Sequence, residues 1–265
     1  MKSLFKMALA GTAGLALLSS SAMAAWTFSS ADLVIGFQAI GGTGSTTNLF
    51  FNLGDSYDFS QNGSLGTVGN INDDLTATYG ANWFTRTDLY FGVFANRSNL
   101  SPTFEPGGVD SDAGRTVYLS VPTLTVGGAN LRSQFGSSAL GTGGSAYAGL
   151  RTNLAGFTET AFGDGVASLN QAAQPVEWNN SWSEWNPTPG AAFSVFTGGI
   201  QQSFGGAGSS AVVDIQRMTG GNPPTYVGSV LIGSDGSISA VPETSSSVLA
   251  IAAGALACLR RRRSK

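Results

Sequence analysis

Histidine is absent from the 265 residues, and cysteine occurs once, at Cys258. Without an imidazole, a serine nucleophile lacks its usual base and zinc lacks its usual nitrogen ligand. A lone thiol builds neither a disulfide nor a thiolate metal site. Lysine is confined to positions 2, 6 and 265, so the middle of the chain has no amine base. Two of the thirteen basic residues lie before position 25 and five after position 259. That leaves six arginines between positions 25 and 240, against fifteen acidic residues, a formal charge of −9. An acidic stretch without a basic stripe excludes a phosphate-backbone grip, and nucleic acid is not an expected partner. No cofactor, no metal and no catalytic residue is expected, and the chain reads as a protein without enzymatic activity.

What is present at each end is a targeting pattern. Lys2 and Lys6 introduce an apolar run from Met7 to Leu18. A polar Ser19-Ser20-Ser21 stretch and Ala22-Met23-Ala24 follow. Charge, short apolar run and small residues at alternate positions are what signal peptidase reads, so residues 1–24 are expected to be removed between Ala24 and Ala25. At the other end Val241-Pro242-Glu243-Thr244 precedes three serines, an apolar run from Val248 to Leu259, and Arg260-Arg261-Arg262-Arg263. Proline removes a backbone donor and biases its predecessor away from helix, so Val241-Pro242 is expected to be extended and accessible. The arginine cluster resists translocation and is expected to hold the end of the chain on the cytoplasmic side.

A Pro-Glu motif, a short membrane helix and a terminal arginine cluster together resemble the PEP-CTERM sorting signal, although Thr244 stands where that motif usually has proline. The resemblance covers residues 241–265. It implies recognition around Pro242-Glu243 by an exosortase, transient anchoring in the inner membrane by helix 248–259, and delivery to the cell surface or the extracellular matrix. Extracellular polysaccharide is the partner class it suggests. The body resembles an uncharacterised group of such proteins through scattered segments: Asp32-Leu33-Val34-Ile35-Gly36-Phe37, Asn52-Leu53-Gly54, Phe91-Gly92-Val93-Phe94, Arg115-Thr116-Val117-Tyr118-Leu119 and Tyr226-Val227-Gly228-Ser229-Val230-Leu231. These imply a shared fold and leave activity open.

The body, residues 25–240, is long enough for one domain with a real core. Its apolar residues alternate with period two at Leu33, Ile35 and Phe37, and after the Gly41 to Thr47 turn at Leu49, Phe51 and Leu53. The same period returns at Leu89 to Val93, Val117 and Leu119, Phe193 and Val195, Val213 and Ile215, and Tyr226, Val230 and Ile232. The expected fold is all-β, a mostly antiparallel, jelly-roll-like sandwich with one or a few short helices. One helix is predicted from a capping Asn72 to about Trp83, with Leu75 and Tyr79 facing the sheet. Short helices are also expected around Tyr147 to Leu154 and Val166 to Ala172.

The segment Glu177-Trp178-Asn179-Asn180-Ser181-Trp182-Ser183-Glu184-Trp185 admits three readings. Trp178, Trp182 and Trp185 can stack on a glycan, with Asn179 and Asn180 supplying amides. Glu177 and Glu184 can form a glycosidase carboxylate pair. Alternatively, the tryptophans seal the edge of the sandwich. Asp110-Ser111-Asp112 has the alternation of calcium ligands but no further ligand set, and the sequons at Asn96 and Asn99 carry no assigned role.

Overall fold

A computed structural model describes residues 31–62, 66–97, 116–136, 138–140, 158–159, 165–189 and 198–242. The expected signal segment, the expected tail from Glu243 onward (the expected helix 248–259 and Arg260 to Arg263 included), Asp110 to Gly114, Tyr147 to Leu154, Phe193 and Val195 lie outside these residues.

The first hairpin is the expected one: β1 (Asp32–Ala39) and β2 (Thr47–Asp55) pair antiparallel around the 40–46 turn. Helix α1 (Ser56–Asn62) follows at once, opened by the Asp55 carboxylate, which accepts from the backbone N–H of Tyr57 at 2.7 Å and of Asp58 at 3.3 Å. Strand β3 (Gly66–Asn70), helix α2 (Asn72–Tyr79) and a 3-10 turn (Trp83–Thr85) lead into β4 (Leu89–Asn96) and β5 (Thr116–Thr123). Then come β6 (Thr158–Glu159), β7 (Val166–Asn170), the single-turn helices α3 (Pro175–Trp178) and α4 (Trp182–Trp185), and β8 (Gln201–Ser203). The meander β9 (Ser210–Thr219), β10 (Thr225–Gly233), β11 (Ser237–Pro242) ends the described chain.

The eleven strands among the described residues belong to one hydrogen-bonded sheet in the order β3-β11-β10-β9-β5-β4-β1-β2-β7-β6, with β8 on β4 beside that path. Every pairing is antiparallel. The mostly antiparallel β expectation is met by a single curled sheet with a few short helices. The curl carries the β3 edge of the sheet over to β2, the third strand from the other edge: a Cβ on Gly69 of β3 would stand 2.7 Å from the Phe51 ring of β2. Inside it lies the larger core cluster, with Leu33, Ile35 and Phe37 of β1, Leu49 and Phe51 of β2, Phe91 and Val93 of β4, Val213 and Ile215 of β9, and Val230 and Ile232 of β10. These are alternating positions read from the sequence; Val117 and Leu119 of β5, from the same series, face the second core instead, and Tyr118 points inward.

Three local expectations differ. Asn72 does not cap α2. It is the first helical residue, its side-chain oxygen accepts from the Trp83 indole N–H at 3.3 Å, and Asn70 Oδ1 receives the Asn72 N–H at 3.0 Å. The helix stops at Tyr79 because Gly80 takes φ +93, a conformation that glycine adopts without strain. Residues 166–170 form a strand, because pairing with β2 from Thr47 to Phe51 outweighs the local helix preference of a small-residue segment. Finally, a bulge between Tyr226 and Gly228 switches faces, so Val227 and not Tyr226 joins the inner core.

Leu75 and Tyr79 are buried as expected. The Tyr79 hydroxyl donates within reach of two backbone carbonyls, Phe37 and Thr47, each at 3.1 Å, tying α2 to the first hairpin. Burial pushes this phenol well above its ordinary value. Because the folded-state value is raised, the stabilisation is complete below the usual phenol range near pH 10 and is lost as pH climbs through and beyond it. Absorbance titration should therefore show Tyr79 un-ionised until an alkaline unfolding transition. Tyr79→Phe should cost about 1–2 kcal/mol in denaturant unfolding at neutral pH by leaving those carbonyls short of a donor.

Candidate functional site

The tryptophan segment starts from a polar turn. The Asn170 side chain accepts from the N–H groups of Ala172 and Ala173, and Gln174 Oε1 accepts from the Asn170 N–H at 3.1 Å. This Asx arrangement turns β7 into α3, whose Pro175 sits in the first turn, where its missing N–H costs nothing. The next turn begins at Ser181, whose hydroxyl accepts from the Glu184 N–H at 3.1 Å, so Ser181-Trp182-Ser183-Glu184 opens α4 as a capped helix.

Both turns drive aromatic rings onto the outer face of the sheet. Trp178 is 5 % exposed and Trp182 1 % exposed. They join Val34, Phe50, Phe94, Val117, Leu119, Leu169, Ile200 and Met218 in a second core, against which the half-buried Trp185 also packs. Gly36 of β1 and Gly92 of β4 are register partners, and the Trp182 indole lies across the pair. A Cβ on Gly36 would stand 2.3 Å from the indole, and one on Gly92 3.1 Å from it and 2.7 Å from the Ile200 carbonyl. The absence of two side chains makes the slot that the ring fills.

Polar groups close that slot. Trp182 Nε1 donates to Gln201 Oε1 at 3.0 Å, and Gln38 Nε2 donates to the same oxygen at 3.0 Å and to the Asn186 carbonyl at 2.8 Å. Asn48 of β2 grips α4 in both directions: its Nδ2 donates to Ser183 Oγ at 2.8 Å, and its Oδ1 accepts the Ser183 N–H at 3.1 Å. Buried amides are costly unless paired, so these bonds fix where the ring can sit.

Trp178 and Trp182 therefore spend their faces on the protein's own sheet, and sugar stacking would need them open. Of the two carboxylates, Glu177 is half-buried on α3 and Glu184 is exposed on α4. Asn179 is exposed. Among the described residues no cluster of three or more acidic, cysteine or histidine residues is placed to hold a metal ion. The sequon residue Asn96 is buried at the end of β4.

Of the residues expected to form a sorting motif, Val241 and Pro242 are the last two of β11, opposite Ser229 and Gly228 of β10. The segment is extended, as expected, and it belongs to the sheet. Glu243, Thr244, Ala24 and Ala25 lie outside the described residues. Among the described residues no helix is long and apolar enough to cross a membrane.

Sequence reasoning missed Gly36, Gly92, Gln38, Gln201 and Asn48 as partners of the tryptophans. One signal was available: Val34 lies between Leu33 and Ile35, so both faces of β1 carry apolar residues, the mark of a strand covered on both sides.

Fold and site together define an antiparallel β protein whose own tryptophan segment covers the outer face at β1, β2 and β4. Comparison with protein-family models, with curated proteins and with solved structures finds no match.

The slot predicts a paired mutational response. Gly36→Val should unseat the indole and destabilise by more than the 1–3 kcal/mol typical of overpacking. Trp182→Ala should cost about 3–5 kcal/mol. Denaturant midpoints and Trp fluorescence report both, and wild-type-like midpoints in both variants would contradict the packing described.

Proposed function

We propose that the chain is an exported surface or matrix protein with no catalysis of its own, delivered through its PEP-CTERM-like tail. The observation that carries this reading is the order of segments: strand β11 reaches Pro242, and in the sequence the rest of the motif, the apolar run and the arginine cluster follow directly. All the described strands lie at or before Pro242, so loss of the residues after Thr244 removes none of them. Signal peptidase and an exosortase-like membrane protease are the processing partners in this reading, and extracellular polysaccharide is the surrounding polymer. The acidic, lysine-free composition of the body suits a soluble, self-repelling surface protein.

We also read the curled sheet as a sandwich in mechanical terms, two halves of one sheet pressed over a shared inner core. The burial of Trp178 and Trp182 favours the structural role for their segment over glycan binding or hydrolysis.

Intact mass and fractionation from the native host test the sorting claim. In wild type the expected product is at the surface, begins at Ala25 and lacks Arg260 to Lys265. In a strain without exosortase it should stay unprocessed in the membrane. An intact tail in both strains would refute the claim.

A further inference from the structure

We infer that the protein has an internal water site beneath its tryptophan lid, where one water molecule bridges the side-chain amide of Asn186 to Nε2 of Gln201 and so helps mount the lid on the sheet.

Asn186 caps the C-terminal end of α4 and Gln201 opens β8, and both are buried, Asn186 to 1 % exposure and Gln201 to 3 %. They meet at one atom. Gln38 Nε2 of β1 donates to the Asn186 backbone carbonyl and to Gln201 Oε1. The same Gln201 oxygen receives the Trp182 indole N–H, so two donors fix this amide, and turning it over would set N–H against N–H. Its stem is confined as well, lying over Gly92, where a Cβ would stand 3.2 Å from Gln201 Cγ. Nε2 is left on the opposite side of the amide, and among the described residues no acceptor reaches it. Asn186 is in the same condition at both ends of its side chain: Nδ2 and Oδ1 have no hydrogen-bond partner among the described residues. Its backbone cannot move to find one, since its N–H donates to the Trp182 carbonyl at 3.0 Å while its own carbonyl is held by Gln38.

Buried amide groups are costly when unpaired, and two neighbouring residues carry them here. A donor on Gln201 and an acceptor on Asn186 that do not reach each other are satisfied together by a molecule that both accepts and donates. The side chains that meet there, Gln38, Asn186, Gln201 and Trp182, are all neutral, so an ion would enter without compensation. Trp182 and Ile200 beside them are buried, which leaves no open path for a larger ligand. Water is the occupant with that size, neutrality and two-way bonding, and buried waters commonly make about three such bonds. Asn186 is then tied to β8 through its side chain as it is tied to β1 through its carbonyl. Because the site lies under the lid, its water exchanges with solvent only when the lid lifts.

Oxygen-17 relaxation dispersion of water, measured on the full chain in detergent micelles, tests this by comparing wild type with Asn186→Leu, which removes both amide groups at similar size. The folded variant should lose the contribution of one long-lived water per molecule, and its denaturant midpoint should fall. An unchanged dispersion amplitude overturns the inference. So does a raised midpoint, the response expected when an apolar side chain replaces an amide that nothing satisfied. If the variant fails to fold, as circular dichroism would report, a high-resolution crystal structure of the wild-type chain decides. A single density peak about 2.7–3.2 Å from Gln201 Nε2 and from an amide atom of Asn186 is expected. No peak, or density too large for one water, overturns the inference.

Discussion

The Trp182 indole lying across the Gly36–Gly92 pair is the contact on which the outer face of the sheet depends. Strand β1 is buried along its whole length and paired on both edges, to β2 and to β4. Its inward side chains need only the curl of the sheet to cover them. Its outward side, Val34, Gly36 and Gln38, needs a lid, and α3 and α4 supply it. A flat aromatic ring over two glycines buries much apolar area with little side-chain entropy lost, which suits a cover made of two single-turn helices that would not persist alone.

The lid is positioned by hydrogen bonds rather than by helix stability. Asn48, Gln38 and Gln201 all point outward from the sheet and each binds an atom of the lid. A second strap uses the same device: Asp214 accepts from the N–H groups of Gly127 and Ala129, and Gln216 binds Arg132 N–H and the Asn130 carbonyl, laying residues 127–132 over β9. Arg132 in turn donates to the Ser120, Gly198 and Gly199 carbonyls, and its burial pulls its value down to about 10. Outward polar side chains in this fold therefore work largely as anchors for covering segments. A chain without disulfides gains its order from such ties and from two cores sharing one sheet.

This explains how much was legible in advance. The inner face was readable because period-two alternation is a local pattern: Leu33, Ile35, Phe37, Leu49, Phe51, Val213, Ile215, Val230 and Ile232 all reached the inner core. The outer face was not, because glutamine, asparagine and glycine at outward positions look like solvent-facing residues until the lid is in place. The tryptophan segment stood out by composition, yet its role was decided by glycines about 90 and 145 residues earlier in the chain, a distance no local pattern spans. Where reading failed inside the sheet, tertiary pairing had overruled local preference, as at Val166–Asn170, or a bulge had shifted the parity, as at Tyr226. The segment Val241-Pro242-Glu243-Thr244 stood out by composition, but its first two residues belong to strand β11.

Native-state amide hydrogen exchange tests the central claim most directly, that the lid and the sheet form one cooperative unit around β1. The N–H groups of β1 that bond within the sheet should be among the slowest in the protein and should exchange only through global unfolding, with the same free energy as those of β9 and β10. Exchange of β1 through a local opening of clearly lower free energy, while β9 and β10 stay protected, would show that the tryptophan lid is an accessory and would contradict the account.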